Sequence, residues 1–151
     1  MDMKFSLELP RETLSVPVIR RVLGDTLRAL GVTEECASDI LIATTEACTN
    51  ALHHGGNDRR YEVAVSIGET RCVLKVVDRG EGFDPDAVTH ASPDAESGRG
   101  LELMRALVDD VSVDSAPESG TAVYLQKDLK WTDDAPMPRL RPEPEPVCQA
   151  G

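Results

Sequence analysis

Hydrophobic positions recur along this chain with two periods, and the switches between them mark its elements. From Lys4 to Leu9, Phe5, Leu7 and Leu9 alternate with polar neighbours, the pattern of a half-buried strand that Pro10 ends. From Val16 to Leu30 the period is helical, with Val18, Val22, Leu23, Leu27 and Leu30 on one side. Gly31 is a helix stop, and Thr33 with Glu34 and Glu35 starts a second helix that runs to about His54 and halts at Gly55-Gly56. Tyr61 to Ile67 and Cys72 to Val77 read as strands joined in a hairpin by Gly68-Glu69-Thr70. Residues 79–97 read as a loop, Gly98 to about Val108 as a helix, and Val111 to Val113 and Thr121 to Leu125 as strands around a turn at Pro117-Glu118-Ser119-Gly120. The order predicts an α+β fold: a two-layer α/β sandwich with a mixed, mostly antiparallel sheet and helices on one face. The domain is expected over residues 4–128. Residues 129–151 hold Pro136, Pro138, Pro142, Pro144 and Pro146 and read as an extended or disordered tail.

Composition narrows the function classes. A chain of 151 residues is one domain by length. Aromatic residues are only 3%, so the core must be aliphatic. Twenty-seven acids against 16 bases give a net charge of −11, which argues against nucleic acid as the main ligand, since phosphate backbones require clustered Lys and Arg. Cys36, Cys48, Cys72 and Cys148 have neither zinc-ligand nor redox-pair spacing, and the first three sit in apolar-patterned segments as core thiols. There is no apolar leader and no run of about 18 apolar residues, so a cytoplasmic protein without a membrane segment is expected.

The residues with chemical potential fall in a fixed order. Glu46 and Asn50, four apart, share a helix face, beside Thr49 and His53. On an isolated helix such a stripe is ordinary solvated surface; a Glu with Ile42 and Asn50 at the i±4 positions, rather than Lys or Arg, is less ordinary. Asp78 closes a β-branched strand ahead of Gly80 and Gly82, which is either a simple turn or a carboxylate at a pocket wall that a flat ring can approach. Gly98-Arg99-Gly100-Leu101 reads as a helix opening with free backbone amides, a candidate phosphate nest, and Phe83 to Ser97 is long enough for a lid. A Gly-x-Gly alone is weak evidence; the four pieces in order are jointly specific.

Taken together, Glu46-x-x-x-Asn50-Ala51, Asp78-x-Gly80-x-Gly82, Gly98-x-Gly100-Leu101 and Gly120-Thr121 resemble the ATP-binding boxes of the GHKL ATPases. The short length and the run Asp78-Arg79-Gly80-Glu81-Gly82-Phe83-Asp84-Pro85 look most like the anti-sigma factor serine kinases of the RsbW and SpoIIAB type. The resemblance covers residues 4–128 and implies the Bergerat ATP-binding fold, with ATP and Mg²⁺ as ligands. It also implies roles. Glu46 is the general base on an attacking hydroxyl. Asn50 holds Mg²⁺ with the phosphates. Asp78, supported by Thr121, reads the adenine amino group. Gly80 and Gly82 line the base pocket, and Gly98, Arg99, Gly100 and Leu101 cap the phosphates.

The implied activity is a serine/threonine protein kinase that phosphorylates a serine on an antagonist protein and also binds a sigma factor, as a homodimer formed through the N-terminal strand and first helix. Where relatives often carry a basic residue before the Ser-Gly of the glycine box, this chain has Glu96, and Arg99 is the substitute cation. With Asp84, Asp86 and Asp94 also in the lid, Glu96 makes it acidic, which motivates a second reading, an ATP-binding anti-sigma module with little or no kinase turnover. A third, a detached histidine-kinase catalytic domain, lacks a phospho-accepting histidine ahead of the boxes, because the histidines are His53, His54 and His90.

Overall fold

Among the described residues, strands Met3–Pro10 (β1), Arg60–Ile67 (β2), Arg71–Asp78 (β3), Asp110–Ala116 (β4) and Gly120–Asp128 (β5) form one sheet in the order β1-β2-β3-β5-β4, with every pairing antiparallel. The computed structural model describes residues 2–54, 60–78, 95–116 and 120–136. The helices are α1 (Ser15–Leu30), α2 (Glu34–His54) and α3 (Ala95–Leu107). The expected two-layer α+β architecture is present; the parallel component of a mixed sheet is not seen among the described residues. The reason is connectivity: β2 and β3 are joined by a tight hairpin, with Gly68 N–H donating to Arg71 O at 2.9 Å, and β4 and β5 also follow one another directly.

Period-2 burial along β2 and β3 turns Tyr61, Val63, Val65, Ile67, Cys72, Leu74 and Val76 towards the helices. Against them α1 sets Ile19, Leu23, Leu27 and Leu30, and α2 sets Ala37, Ile40, Ala43, Ala47 and Cys48. The core is aliphatic as composition required, with Tyr61 the largest wholly buried side chain. One helix phase differs from expectation. Ile19 faces the core and Val18 is half exposed, because Ser15, Ile19, Leu23 and Leu27 make one stripe that leaves Val18 a position outside it. Gly31 ends α1 in a left-handed conformation (φ 94°), its N–H donating to Arg28 O while Val32 N–H reaches back to Leu27 O, a Schellman closure.

The folded unit continues past Asp128, where the sequence places a domain boundary. Leu129 N–H donates to Thr70 O, Thr33 N–H to Lys130 O, Thr132 N–H to Gly31 O, and the Trp131 indole N–H to Glu69 O at 2.8 Å. Residues 129–136 thus strap the α1–α2 turn to the β2–β3 hairpin. Ala135 lies so close to Gly31 that a Cβ there would stand 2.2 Å from the alanine Cβ. Proline content marked the segment as tail, whereas single backbone bonds and one indole hold it. The remainder of the tail, from residue 137, lies outside the described residues.

Helix α3 begins at Ala95, three residues before the expected start at Gly98. Ala and Glu at 95 and 96 are good helix formers, and they extend the helix upstream of the glycines.

Candidate functional site

Asp78 ends β3 in a row that crosses the whole sheet: Leu9 pairs with Tyr61, Tyr61 with Asp78, Asp78 with Thr121, and Thr121 with Ser115. It points inwards in phase with Leu74 and Val76 and is 3% exposed, one of the few buried charged groups. A buried carboxylate demands a partner. The structure supplies Arg11, from the β1–α1 connection, whose Nη2 donates to Asp78 Oδ1 in an ion pair shielded from solvent on both sides. Thr121, expected beside Asp78, is its neighbour across the β3–β5 ladder. Arg11 went unnoticed in the sequence, where an Arg between Pro10 and Glu12 carries no local signal; the pair spans 67 residues.

Tyr61, next to Asp78 in the ladder, ties this corner to α1 and α2. The Ser15 hydroxyl donates to Glu12 O at 2.7 Å, so at 2.5 Å the Tyr61 hydroxyl is the donor to Ser15 Oγ. The Cys48 thiol of α2 is within hydrogen-bonding reach of the same hydroxyl. Burial pushes the Cys48 thiol and the Tyr61 phenol each up to about 12, so both stay neutral here. Cys72, wholly buried, is likewise pushed to about 12, mainly by burial. These thiols are core packing and not nucleophiles.

Two residues to either side of Cys48 on α2 are Glu46 and Asn50, both half-buried. Their side chains converge on Gly100 of α3. A Cβ at residue 100 would stand 3.3 Å from Glu46 Oε2, 3.6 Å from Asn50 Oδ1 and 3.7 Å from Asn50 Nδ2. The missing side chain is what lets the α3 backbone sit directly on the carboxylate and carboxamide. Gly100 lies inside the second turn of α3, packed against α2, and not ahead of the helix. Gly98 also lies within the helix, as the fourth of its residues, so the unsatisfied first-turn amides belong mainly to positions upstream of it. Leu101 follows Gly100, half-buried against the core. Of Arg99 only the backbone, helical, is described, and Gly80 and Gly82 lie outside the described residues, as does the lid sequence up to residue 94.

The far end of α3 is fixed to α2 and β5. Lys127 Nζ donates to Leu107 O at 2.8 Å and to Asp39 Oδ2 at 3.4 Å. A cation on the last carbonyls of a helix satisfies orphan acceptors and opposes the helix dipole.

Chemically, the site joins a hard-oxygen pair, one carboxylate and one carboxamide, to a close glycine contact, and sets a buried carboxylate at a strand end. Magnesium is commonly bound through one or two protein oxygens plus substrate phosphates, and the Glu46–Asn50–Gly100 cradle suits that chemistry. Among the described residues no helix is long and apolar enough to cross a membrane.

The family model for the histidine kinase-like ATPase domain matches residues 9–127. The chain is similar to the serine-protein kinase RsbW of Bacillus velezensis, 35% identical over 136 residues, covering 82% of this chain and 84% of that one. RsbW of Bacillus subtilis is 33% identical over the same share. Among solved structures, the RsbU and RsbW domains of Rv1364c from Mycobacterium tuberculosis superpose with a TM-score of 0.67 at 22% identity, over 84% of this chain and 32% of that longer one. The SiaB–SiaC complex from Pseudomonas aeruginosa superposes with a TM-score of 0.57 at 16% identity, over 82% of this chain and 89% of that one. At these identities the two structures speak for the fold alone.

Proposed function

The chain belongs to the histidine kinase-like ATPase domain family and, within it, to the RsbW-type serine-protein kinases, and from that premise we propose that it transfers the γ-phosphoryl group of ATP to a serine of a protein antagonist. The observation that carries the reading is the convergence of Glu46 and Asn50 on Gly100. When bound, Mg²⁺-ATP would supply the transferable phosphoryl group and the charge neutralisation. The protein's part is positioning and electrostatics.

In this reading Glu46 accepts the proton of the attacking serine hydroxyl. Asn50 would hold Mg²⁺ through its carboxamide oxygen. Asp78 accepts from the adenine amino group, with Thr121 as its ladder neighbour. Gly80 and Gly82 line the base pocket, and Gly98, Arg99, Gly100 and Leu101 cover the phosphates. The half-buried state of Glu46 supports its role, because a base screened from water keeps its field on the reacting hydroxyl.

The partners follow from the same family reading: an anti-sigma antagonist as phosphorylation substrate and a sigma factor as sequestered protein, both met by a cytoplasmic homodimer. A groove between α1 and α2, lined by Val16, Pro17, Arg20, Arg21, Asp25, Arg28 and Leu41, gathers three arginines, of which Arg21 pairs with Asp25 and Arg28 with Glu34, and is the face proposed for an acidic helical partner. Incubating the protein with radiolabelled ATP and candidate antagonists tests the proposal. Transfer of label to a serine supports it. Tight ATP binding without transfer to any antagonist that the protein captures would instead favour a purely sequestering module.

A further inference from the structure

The groove between α1 and α2 opens beside the point where the strap ends. Ala135 packs on Gly31, the residue that closes α1, and a Cβ at Gly31 would stand 3.1 Å from Pro136 Cδ. Residues 137–151 therefore set out from the Arg28 end of the groove. Gly24 is buried where the two helices meet, since a Cβ there would stand 3.0 Å from Arg28 Nη1 and 3.3 Å from Leu41 Cδ1. Val16, Pro17 and Leu41 give the groove its apolar lining. Among the described residues the Arg20 guanidinium makes no ion pair or hydrogen bond. Arg21 meets Asp25 only at 3.8 Å, with both side chains mostly exposed. Uncompensated positive charge thus sits at the Arg20–Arg21 end, on a chain whose net charge is −11.

The sequence after Pro136 carries charge in the complementary order. Arg139 and Arg141 come first, then Glu143 and Glu145; from Gly31 the groove presents Asp25, then Arg21 and Arg20. Reach agrees with order. Arg21 and Arg20 lie ten and eleven residues before Gly31, about 15–17 Å along a helix. Pro142, Pro144 and Pro146 fix φ at every second residue, and at about 3.1 Å per extended residue the seven steps from Pro136 to Glu143 span up to about 22 Å. Three steps, about 9 Å, bring Arg139 level with Asp25, six residues before Gly31. We propose that residues 139–145 of the same chain lie along this groove, antiparallel to α1, with Glu143 and Glu145 facing Arg21 and Arg20, Arg139 beside Asp25 and the prolines on Val16, Pro17 and Leu41. Exposed ion pairs are individually weak. The tether compensates, because it holds the segment at an effective concentration of about a millimolar, and prolines with fixed φ lose little freedom on binding. An acidic partner drawn to the same arginines has to displace the segment; that consequence, unlike the docking, rests on the partner reading above.

Paramagnetic broadening in the amide spectrum of the full chain tests the docking. Cys36, Cys48 and Cys72 are buried, so a thiol-directed spin label is placed on Cys148. Broadening should single out the α1 amides around Val16 to Arg21. Glu143→Lys with Glu145→Lys should abolish it, and adding Arg20→Glu and Arg21→Glu should restore it. Arg20 and Arg21 are exposed, so their reversal leaves the core intact. High salt should weaken the broadening in the native chain, as it screens exposed pairs. The Arg20 and Arg21 Nε–H signals, which need no label, should shift when both glutamates are reversed. Broadening that misses α1, or that survives the glutamate reversal, overturns the proposal, as do unmoved arginine signals. Isotope-labelled chains mixed with spin-labelled ones at natural abundance identify the occupant. Equal broadening in that mixture means that the segment comes from a second copy, and overturns docking within one chain. Docking that holds in a protein that captures no sigma factor or antagonist leaves this inference standing and removes the partner reading.

Discussion

Gly100 packs closely against Glu46: a Cβ would lie 3.3 Å from the carboxylate Oε2, tight enough that the carboxylate would have to give by a few tenths of an ångström. Two helices far apart in sequence thus meet at the proposed base through the absence of a side chain. In a helix interior, Gly→Ala is ordinarily stabilising by about 0.5–1 kcal/mol. At residue 100 the added methyl presses on the Glu46 carboxylate and makes ordinary contact with Asn50. Gly100→Ala is therefore expected to melt at or slightly above the wild-type temperature while phosphorylating its substrate more slowly. Thermal melts beside initial phosphorylation rates check this; a variant that keeps the native rate would show that the contact has no catalytic meaning.

Glu46→Gln separates binding from chemistry. The carboxamide keeps the shape, and nucleotide affinity should change little. Phosphoryl transfer should fall by about 10²–10⁴-fold, the usual contribution of a positioned general base. Native turnover in this variant rules Glu46 out as the base.

Asp78→Asn replaces an acceptor with a group that also offers donors. One lost hydrogen bond to a charged acceptor amounts to about 1.5–3 kcal/mol, or roughly 10- to 100-fold in ATP affinity. The variant also leaves the Arg11 guanidinium facing a neutral partner, so the nucleotide-free protein should melt lower as well. Calorimetry with ATP reads the first effect and a thermal melt the second, and unchanged ATP affinity would take Asp78 out of the base site.

A chain cut after Asp128 loses the strap. The bonds made by Leu129, Lys130, Trp131 and Thr132 to the α1–α2 turn and the hairpin go with it, at about 0.5–1.5 kcal/mol each. A chain cut after Pro136 keeps them all. The first should melt roughly 10 °C or more below the full chain and the second close to it. Equal melting temperatures for the two truncations would mean that the strap contributes nothing.

Alkaline pH should weaken the fold through its buried thiols. The Cys48 and Cys72 thiols are raised from 9.0 to about 12 by burial. Below pH 9 both the native and unfolded chains hold these protons, and the contribution is complete. Between 9 and 12 the unfolded chain releases them and the native one does not, so unfolding becomes easier as pH rises, by up to about 1.4 kcal/mol per pH unit for each thiol. Urea midpoints between pH 8 and 10.5 should fall accordingly, and Cys72→Ala should flatten the slope. An identical slope in that variant contradicts the assignment.

What the sequence determined by itself is what depends on neighbours along the chain. The alternation of Phe5, Leu7 and Leu9, the hairpin at Gly68, the stop at Gly31 and the i, i+4 pairing of Glu46 with Asn50 all follow from local periodicity and backbone preference, which act over a few residues. Phase and boundaries were weaker even there: Ile19 and not Val18 faces the core, and α3 starts at Ala95, because packing against the sheet and α2 selects among registers that periodicity leaves nearly equal. Only the tertiary structure decided that Arg11 holds Asp78, that Gly100 rests on Glu46 and Asn50, and that Trp131 binds the hairpin. Each of these joins residues from different elements, and their energies come from burial and from hydrogen bonds closed by the fold, quantities that no short window of sequence contains.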